Sequence, residues 1–417
     1  MSQFFSYVEN IAKRAKDISL DVASKGTKEK NRALEEIANL LEKNIDYIVG
    51  ENKKDLVFSQ EIGKSQAFID RLELNEKRIK AMASSIREII ALPDPVGSGS
   101  YIAKRPNGLV IQKVRVPIGV IAIIYESRPN VTSDAASLCI KSGNVTILRG
   151  GKEAINSNIA ISNLIREGLK KADFPVDTVI MIDRTEHEIV DVLLGMNQYI
   201  DLVIPRGGES LIKTVVEKSK IPVVKHDKGV CHVFVDESAE KDMAEAIVVN
   251  AKCQRPSVCN AMETLLVHRD YPYIKELIGK LLELNVEIFA CENLRKIFPS
   301  LEPATEENYY TEYLDYNMSA KIVGDVKEAV EHINRYGSHH SDAIVSENYT
   351  NIQYFLNRVD SAAVYANAST RFTDGGEFGL GAEIGISTQK LHVRGPMGLE
   401  GLTTEKWIVY GNGQIRE

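Results

Sequence analysis

Cysteine is scarce in this chain, with Cys139, Cys231, Cys253, Cys259 and Cys291 the only five among 417 residues. An odd, scattered set argues against a disulfide framework and for thiols kept reduced, so a cytoplasmic location is expected. The Asn-x-Ser/Thr triplets at Asn130, Asn144 and Asn348 then carry no glycosylation meaning. Basic charge is not in excess either: 51 Lys+Arg against 58 Asp+Glu leaves a net charge of −7. Nucleic acid is therefore not an expected partner. Long apolar runs are missing, Val120 to Ile124 being the longest near the middle, so no membrane span is expected. The N-terminus mixes Glu9, Lys13 and Arg14 into its apolar rhythm, which does not fit an export signal.

Several chemical signatures are missing as well. Gly63-Lys64-Ser65 resembles the end of a phosphate loop, but the glycine needed five places earlier is Phe58, whose ring would obstruct a backbone cradle. Gly379-x-Gly381 is followed by Gly385, one place too late for a dinucleotide fingerprint. No Cys-x-x-Cys or paired-His spacing accompanies Cys253 and Cys259, so no metal site is expected. A Gly-x-Ser-x-Gly elbow is absent, and neither a solenoid-length repeat nor a low-complexity tract is evident.

What is present is enough chain for two or three domains, with 44% hydrophobic and 26% charged residues. Phe4, Val8, Ile11, Ala15 and Ile18 fall on one helical face, as do Leu34, Ile37, Ala38, Leu41, Ile45 and Ile48 after Thr27, and later Ile79, Met82, Ile86 and Ile89. Pro93, Pro95, Gly97 and Gly99 end that pattern. Beyond them short β-branched runs alternate with amphipathic stretches: Val120 to Tyr125, Val145 to Leu148, Thr178 to Ile182, Leu202 to Ile204, Pro222 to Lys225 and His232 to Val235. The theme returns in Glu263 to Val267, Val286 to Phe289 and Ala343 to Val345. Such alternation predicts parallel sheets covered on both faces, and two α/β domains in series.

Tight glycine pairs stand at two strand exits, Arg149-Gly150-Gly151-Lys152 and Pro205-Arg206-Gly207-Gly208-Glu209. They either turn the chain or let its backbone approach a ligand, and Arg149 with Lys152 is either solvated charge or a partner for the 2′-phosphate of NADP. Cys259, between Cys253-Gln-Arg-Pro-Ser-Val and Asn260, precedes a strand, with Arg255 close by in sequence. A thiol at a loop or helix start beside a cation suits a nucleophile, although composition alone favours inert packing.

Four segments in order, Val116-Pro-Ile-Gly-Val-Ile-Ala-Ile-Ile-Tyr-Glu-Ser-Arg-Pro-Asn130, Ser142-Gly-Asn-Val-Thr-Ile-Leu-Arg-Gly-Gly-Lys152, Ile204-Pro-Arg-Gly-Gly-Glu209 and Gln254-Arg-Pro-Ser-Val-Cys-Asn-Ala-Met-Glu-Thr-Leu-Leu-Val267, together resemble the aldehyde dehydrogenase superfamily. The closest resemblance is to its branch that reduces an acyl phosphate.

That resemblance implies an aldehyde-dehydrogenase-like α/β fold: an NADP-binding domain over 1–99 and 114–229, a catalytic domain over 230–399, and an oligomerisation element from 100–113 with 400–417. The implied activity is NADPH-dependent reduction of L-glutamyl 5-phosphate to L-glutamate 5-semialdehyde and phosphate through a cysteine thioester, the second step of proline synthesis from glutamate. It implies Cys259 as nucleophile, Asn130 as an oxyanion-binding amide, and Arg149, Lys152, Gly207, Gly208 and Glu312 at the cofactor. A homo-oligomer and a separate glutamate 5-kinase are implied as partners. Where relatives carry a water-activating glutamate this chain has Lys225 to Gly229, with His226 nearest and Asp227 beside it, either ligand contacts or polar strand-end residues. Loss of that base suits a reaction in which water must not discharge the thioester. Arg371 and Arg394 offer guanidinium geometry for a substrate carboxylate. The competing readings are an aldehyde dehydrogenase for another small aldehyde, separable by phosphate dependence, and a non-catalytic nucleotide-binding subunit, separable by Cys259→Ser.

Overall fold

The computed structural model describes residues 3–225 and 228–416. By internal contacts the chain divides into two compact units, Met1–Lys225 with Gly379–Gly385 and Met397–Glu417, and His226–Phe378 with Ile386–Pro396. The sequence-based boundary at 229/230 thus stands beside a division at Lys225, and the segments 379–385 and 397–399 join the first unit.

The first unit opens with five helices, α1 (Phe5–Ala23), α2 (Thr27–Lys43), α3 (Ile45–Glu61), α4 (Gln66–Leu72) and α5 (Glu76–Ala91). Of the long ones, α1, α2 and α5 bury an apolar face, whereas α3 buries Ile48 with the polar Asn52, Asp55 and Ser59. In α2 the apolar face is Ala33, Leu34, Ile37, Ala38 and Leu41, and in α5 Ile79, Met82, Ala83, Ile86 and Ile89. Their starts are fixed by side chains that take up free N–H groups: Glu29 accepts from the Gly26 N–H (2.9 Å) and Asn75 from the Arg78 N–H (3.0 Å). The apolar rhythm from Leu34 to Ile48 predicts one helix, but the chain breaks it at Asn44, which ends α2 and begins α3.

Next come β1 (Gly99–Lys104) and β2 (Val110–Pro117), an antiparallel hairpin extended on the β2 side by the C-terminal strand Thr403–Tyr410. Then β3 (Val120–Tyr125), α6 (Asn130–Lys141), β4 (Val145–Arg149), α7 (Ile155–Lys171), β5 (Val179–Met181), α8 (His187–Leu193), β6 (Leu202–Arg206) and α9 (Glu209–Lys218) build a parallel sheet in the order β5-β4-β3-β6. All six residues of β3 are buried, as expected of a central strand covered on both faces. The run Pro222 to Lys225, read as a strand, supplies only one bridge, Val203 to Val223.

In the second unit β7 (Cys231–Val235), α10 (Lys241–Cys253), β8 (Met262–His268), β9 (Glu287–Ala290), β10 (Glu302–Pro303), β11 (Asn317–Val323), β12 (Ser341–Val345) and β13 (Ala363–Ala366) give a seven-stranded parallel sheet, ordered β10-β9-β11-β8-β7-β12-β13. Its two faces are packed separately: one around Val233, Leu265, Ile278 and Ala320, the other around Phe234, Leu266, Ile333 and Phe355. No described helix is long and apolar enough to cross a membrane.

Candidate active site

In the second unit the chain leaves α10 and turns before β8, with the Ala261 N–H closing onto the Val258 carbonyl (3.0 Å). Cys259 and Asn260 are the central residues of that turn. Cys259 is half-buried and lies after a helix, not at the start of one, so the sequence expectation narrows to a loop. The turn meets the backbone of Gly229 directly: a Cβ on Gly229 would lie 1.7 Å from the Cys259 oxygen and 2.5 Å from its Cα, so only glycine fits. The Gly229 N–H donates to Glu312 Oε1 at 2.7 Å, which brings Glu312 beside the cysteine turn. On the far side the Asn260 amide donates to the Thr373 carbonyl (2.8 Å), while Thr370 Oγ1 donates to the Asn260 carbonyl (2.7 Å). Arg371 joins through Gln254, its Nε on Oε1 at 2.8 Å. Burial, then the like charge of Arg255, holds Arg371 below the usual guanidinium range, and Cys259 acts in the opposite sense.

Two features here escaped the sequence. Cys231, next to Gly229 on the same strand approach, donates its thiol to the Cys259 carbonyl (3.2 Å), and burial, then Asp342, drives its pKa well above the ordinary thiol value. It is an unreactive neighbour that buttresses the turn. Lys252 and Glu263 bracket the turn and pair at 2.7 Å with neither side chain exposed. Burial pushes the Glu263 carboxyl up to about 7, offset in part by Lys252. Both residues stand within or beside the quoted motif, but only the fold shows that they close its base.

Arg394 is placed otherwise, its guanidinium donating to the Asp360 carbonyl and Oδ1, both at 2.9 Å. His226 and Asp227 lie outside the described residues.

In the first unit the remaining candidates gather at the carboxyl ends of parallel strands, where α/β sheets collect ligands. Arg149 ends β4 and is buried, donating to the Thr185 carbonyl (3.0 Å) while its Nε has no hydrogen-bond partner among the described residues. Burial lowers its pKa, with Glu153, Glu126 and Glu186 opposing. Lys152 is exposed just beyond it. Gly207 and Gly208 follow β6, and Gly208 caps α9. The glycine pair accommodates Glu126, missed in the sequence: its carboxylate accepts from the Gly208 N–H (2.9 Å), and a Cβ on Gly207 would come within 2.5 Å of it. Asn130 opens α6, exposed, and donates to Asp134 (2.9 Å), whose carboxyl burial pushes up to about 6. The orphaned Arg149 Nε, the exposed Lys152 and the N-terminus of α9 form a donor set that fits a nicotinamide dinucleotide.

Residues 6–289 match the aldehyde dehydrogenase family model. The chain is 56% identical to the gamma-glutamyl phosphate reductase of Carboxydothermus hydrogenoformans over 98% of its length and 99% of that protein. It is 53% identical to the enzyme of the same name from Dictyoglomus thermophilum, over 97% and 98%. A crystal structure of gamma-glutamyl phosphate reductase from Thermotoga maritima superposes with a TM-score of 0.97 at 45% identity, covering 98% of this chain and 100% of that one. An acetylating aldehyde dehydrogenase from Geobacillus thermoglucosidasius shares the fold at 16% identity, with a TM-score of 0.70 and coverage of 100% and 98%. The chain belongs to the aldehyde dehydrogenase family and, within it, to the gamma-glutamyl phosphate reductases.

Proposed function

We propose that this protein reduces L-glutamyl 5-phosphate to L-glutamate 5-semialdehyde with release of phosphate, the second step of proline synthesis from glutamate. More than half identity over nearly the full length to reductases of that name carries the reading. Cys259 is the nucleophile. Its thiolate attacks the acyl-phosphate carbonyl, a C–S bond forms, the C–O bond to phosphate breaks, and phosphate departs with the electron pair. The Cys259 backbone N–H and the Asn130 amide are the donors assigned to the developing oxyanion. Arg371, held beside the turn, is the cation assigned to the substrate carboxylate.

The nicotinamide supplies a hydride when bound. Arg149, Lys152, Gly207, Gly208 and Glu312 are assigned to hold the dinucleotide, and exposed Lys152 is the cation assigned to the 2′-phosphate that makes it NADPH. Cys259 keeps the acyl group as a thioester until reduction and leaves as thiolate when the aldehyde forms. A separate glutamate 5-kinase supplies the acyl phosphate, and the chain works in the cytoplasm as a homo-oligomer built on the β1–β2 sheet.

The test runs the reaction backwards. Oxidation of glutamate semialdehyde with NADP should require phosphate as acyl acceptor, and Cys259→Ser should abolish it, since a hydroxyl at this position lacks the thiolate's nucleophilicity. Equal rates without phosphate would mean an ordinary aldehyde dehydrogenase, and activity surviving in the serine variant would remove the covalent route.

A further inference from the structure

We propose that Glu312 is a positioning residue for the nucleophile, holding the Cys259 turn through Gly229 in a way that needs no cofactor. The inference rests on Cys259 being the nucleophile and adds to Glu312 a task beyond contact with the dinucleotide.

The Glu312 carboxylate is bonded to the Gly229 N–H at 2.7 Å. Gly229 in turn lies so close to the Cys259 backbone that its α-carbon has no room for a substituent, with the Cys259 carbonyl carbon 2.4 Å from the position of a Cβ. A shift of Gly229 is therefore a shift of the turn. Two residues further on, the Leu314 N–H donates to Glu263 Oε1 at 3.2 Å, and Glu263 Oε2 takes the Lys252 ammonium at 2.7 Å. Lys252 precedes the turn and Glu263 follows it, so the strap 312–314 grips the nucleophile loop from two sides.

The strap is itself fixed. Tyr313, between the two contacts, hydrogen-bonds Ser319 Oγ at 2.9 Å and stacks on Phe289 with ring centroids 5.6 Å apart and planes 4° from parallel. Leu314 adopts a left-handed backbone, φ 56°, which a leucine holds only where surrounding contacts dictate it. A carboxylate placed solely to meet a cofactor needs neither the bond to Gly229 nor the bracing on both sides of it.

The experiment isolates the acylation step from hydride transfer. p-Nitrophenyl acetate is mixed with the enzyme without cofactor. The thiolate attacks the ester carbonyl, a C–S bond forms, the C–O bond breaks, and p-nitrophenolate leaves with the electron pair. The burst rate is read by absorbance, and acetyl transfer to Cys259 is mapped by mass spectrometry. Misplacing a reacting group by about 1 Å costs on the order of 10²-fold, so Glu312→Ala should slow the burst by about 10- to 100-fold. Glu312→Gln keeps an acceptor oxygen for the Gly229 N–H and should stay within about threefold of the parent. If the alanine variant does not fold, Glu312→Asp, which withdraws the carboxylate by one methylene, is expected to show the slowing instead. A folded alanine or aspartate variant that acylates at the parent rate, while its KM for NADPH rises, overturns the positioning role and leaves Glu312 a cofactor contact. A parent enzyme that is never acetylated at Cys259 refutes the covalent mechanism itself, a separate result.

Discussion

Two residues test how tightly the site is specified. Gly229→Ala puts a methyl group 1.7 Å from the Cys259 oxygen, and the obstacle is backbone, which cannot rotate away. Either β7 or the cysteine turn must move, at a cost of about 4 kcal/mol or more. Thermal denaturation should show a large drop in Tm, and acylation should be lost even in the fraction that folds. Lys152 poses a question of recognition instead. It is exposed while Arg149 is buried and tied to Thr185, so Lys152 is the cation free to reach an extra phosphate. Lys152→Ala should raise KM for NADPH by about tenfold, the range of one charge-assisted hydrogen bond, and leave KM for NADH nearly unchanged. Equal losses with both cofactors would place the lysine elsewhere. Cys259 was singled out as a candidate because a cysteine in that string carries the family resemblance. Glu126 was not, because its partner Gly208 comes next to it only when β3 and β6 pair.

Among elements, strands buried on both faces were easiest to read. Val120 to Tyr125 matches β3 in full, since six consecutive apolar residues leave no other periodicity. β11 escaped because Asn317, Ser319 and Lys321 interrupt its apolar residues, and β13 because it is a four-residue run of two alanines, a valine and a tyrosine. The C-terminal strand Thr403–Tyr410 falls within the segment 400–417 that the resemblance implies as an oligomerisation element. Its pairing with β2 leaves Tyr101, Ile102, Trp407, Val409 and Tyr410 exposed, with Tyr101 edge-on to Trp407 at 5.7 Å. An antiparallel sheet with apolar side chains in solvent is a surface suited to a second copy of the chain. Val409→Asp should therefore lower the mass found by light scattering, with helical content unchanged by circular dichroism. An unchanged mass would separate this sheet from the subunit contact.

The molecule as a whole carries buried titratable groups of opposite sign, which sets its response to acid. Burial raises the Glu263 carboxyl to about 7 and that of Asp134 to about 6. Folded chain then binds protons that unfolded chain does not, and both groups favour folding as pH falls toward their unfolded values near 4. His332 acts the other way. It is 4% exposed, packed against Tyr309, Tyr336 and His232, and neither ring nitrogen has a hydrogen-bond partner among the described residues. Burial, then His232, Lys321 and Arg335, lowers its pKa to about 2. Unfolded chain therefore takes up a proton near pH 6.5 that the folded chain refuses until about pH 2, and stability is lost throughout that interval. The slope is at most about 1.4 kcal/mol per pH unit. Comparing the parent with His332→Gln cancels the carboxylates, which both proteins share. The glutamine variant should be the less stable at pH 7, and the gap should close by up to about 3 kcal/mol between pH 6 and pH 4 in urea unfolding. A gap that stays constant over that range would mean the imidazole is protonated inside the fold, with the faces of Tyr309 and Tyr336 stabilising the cation.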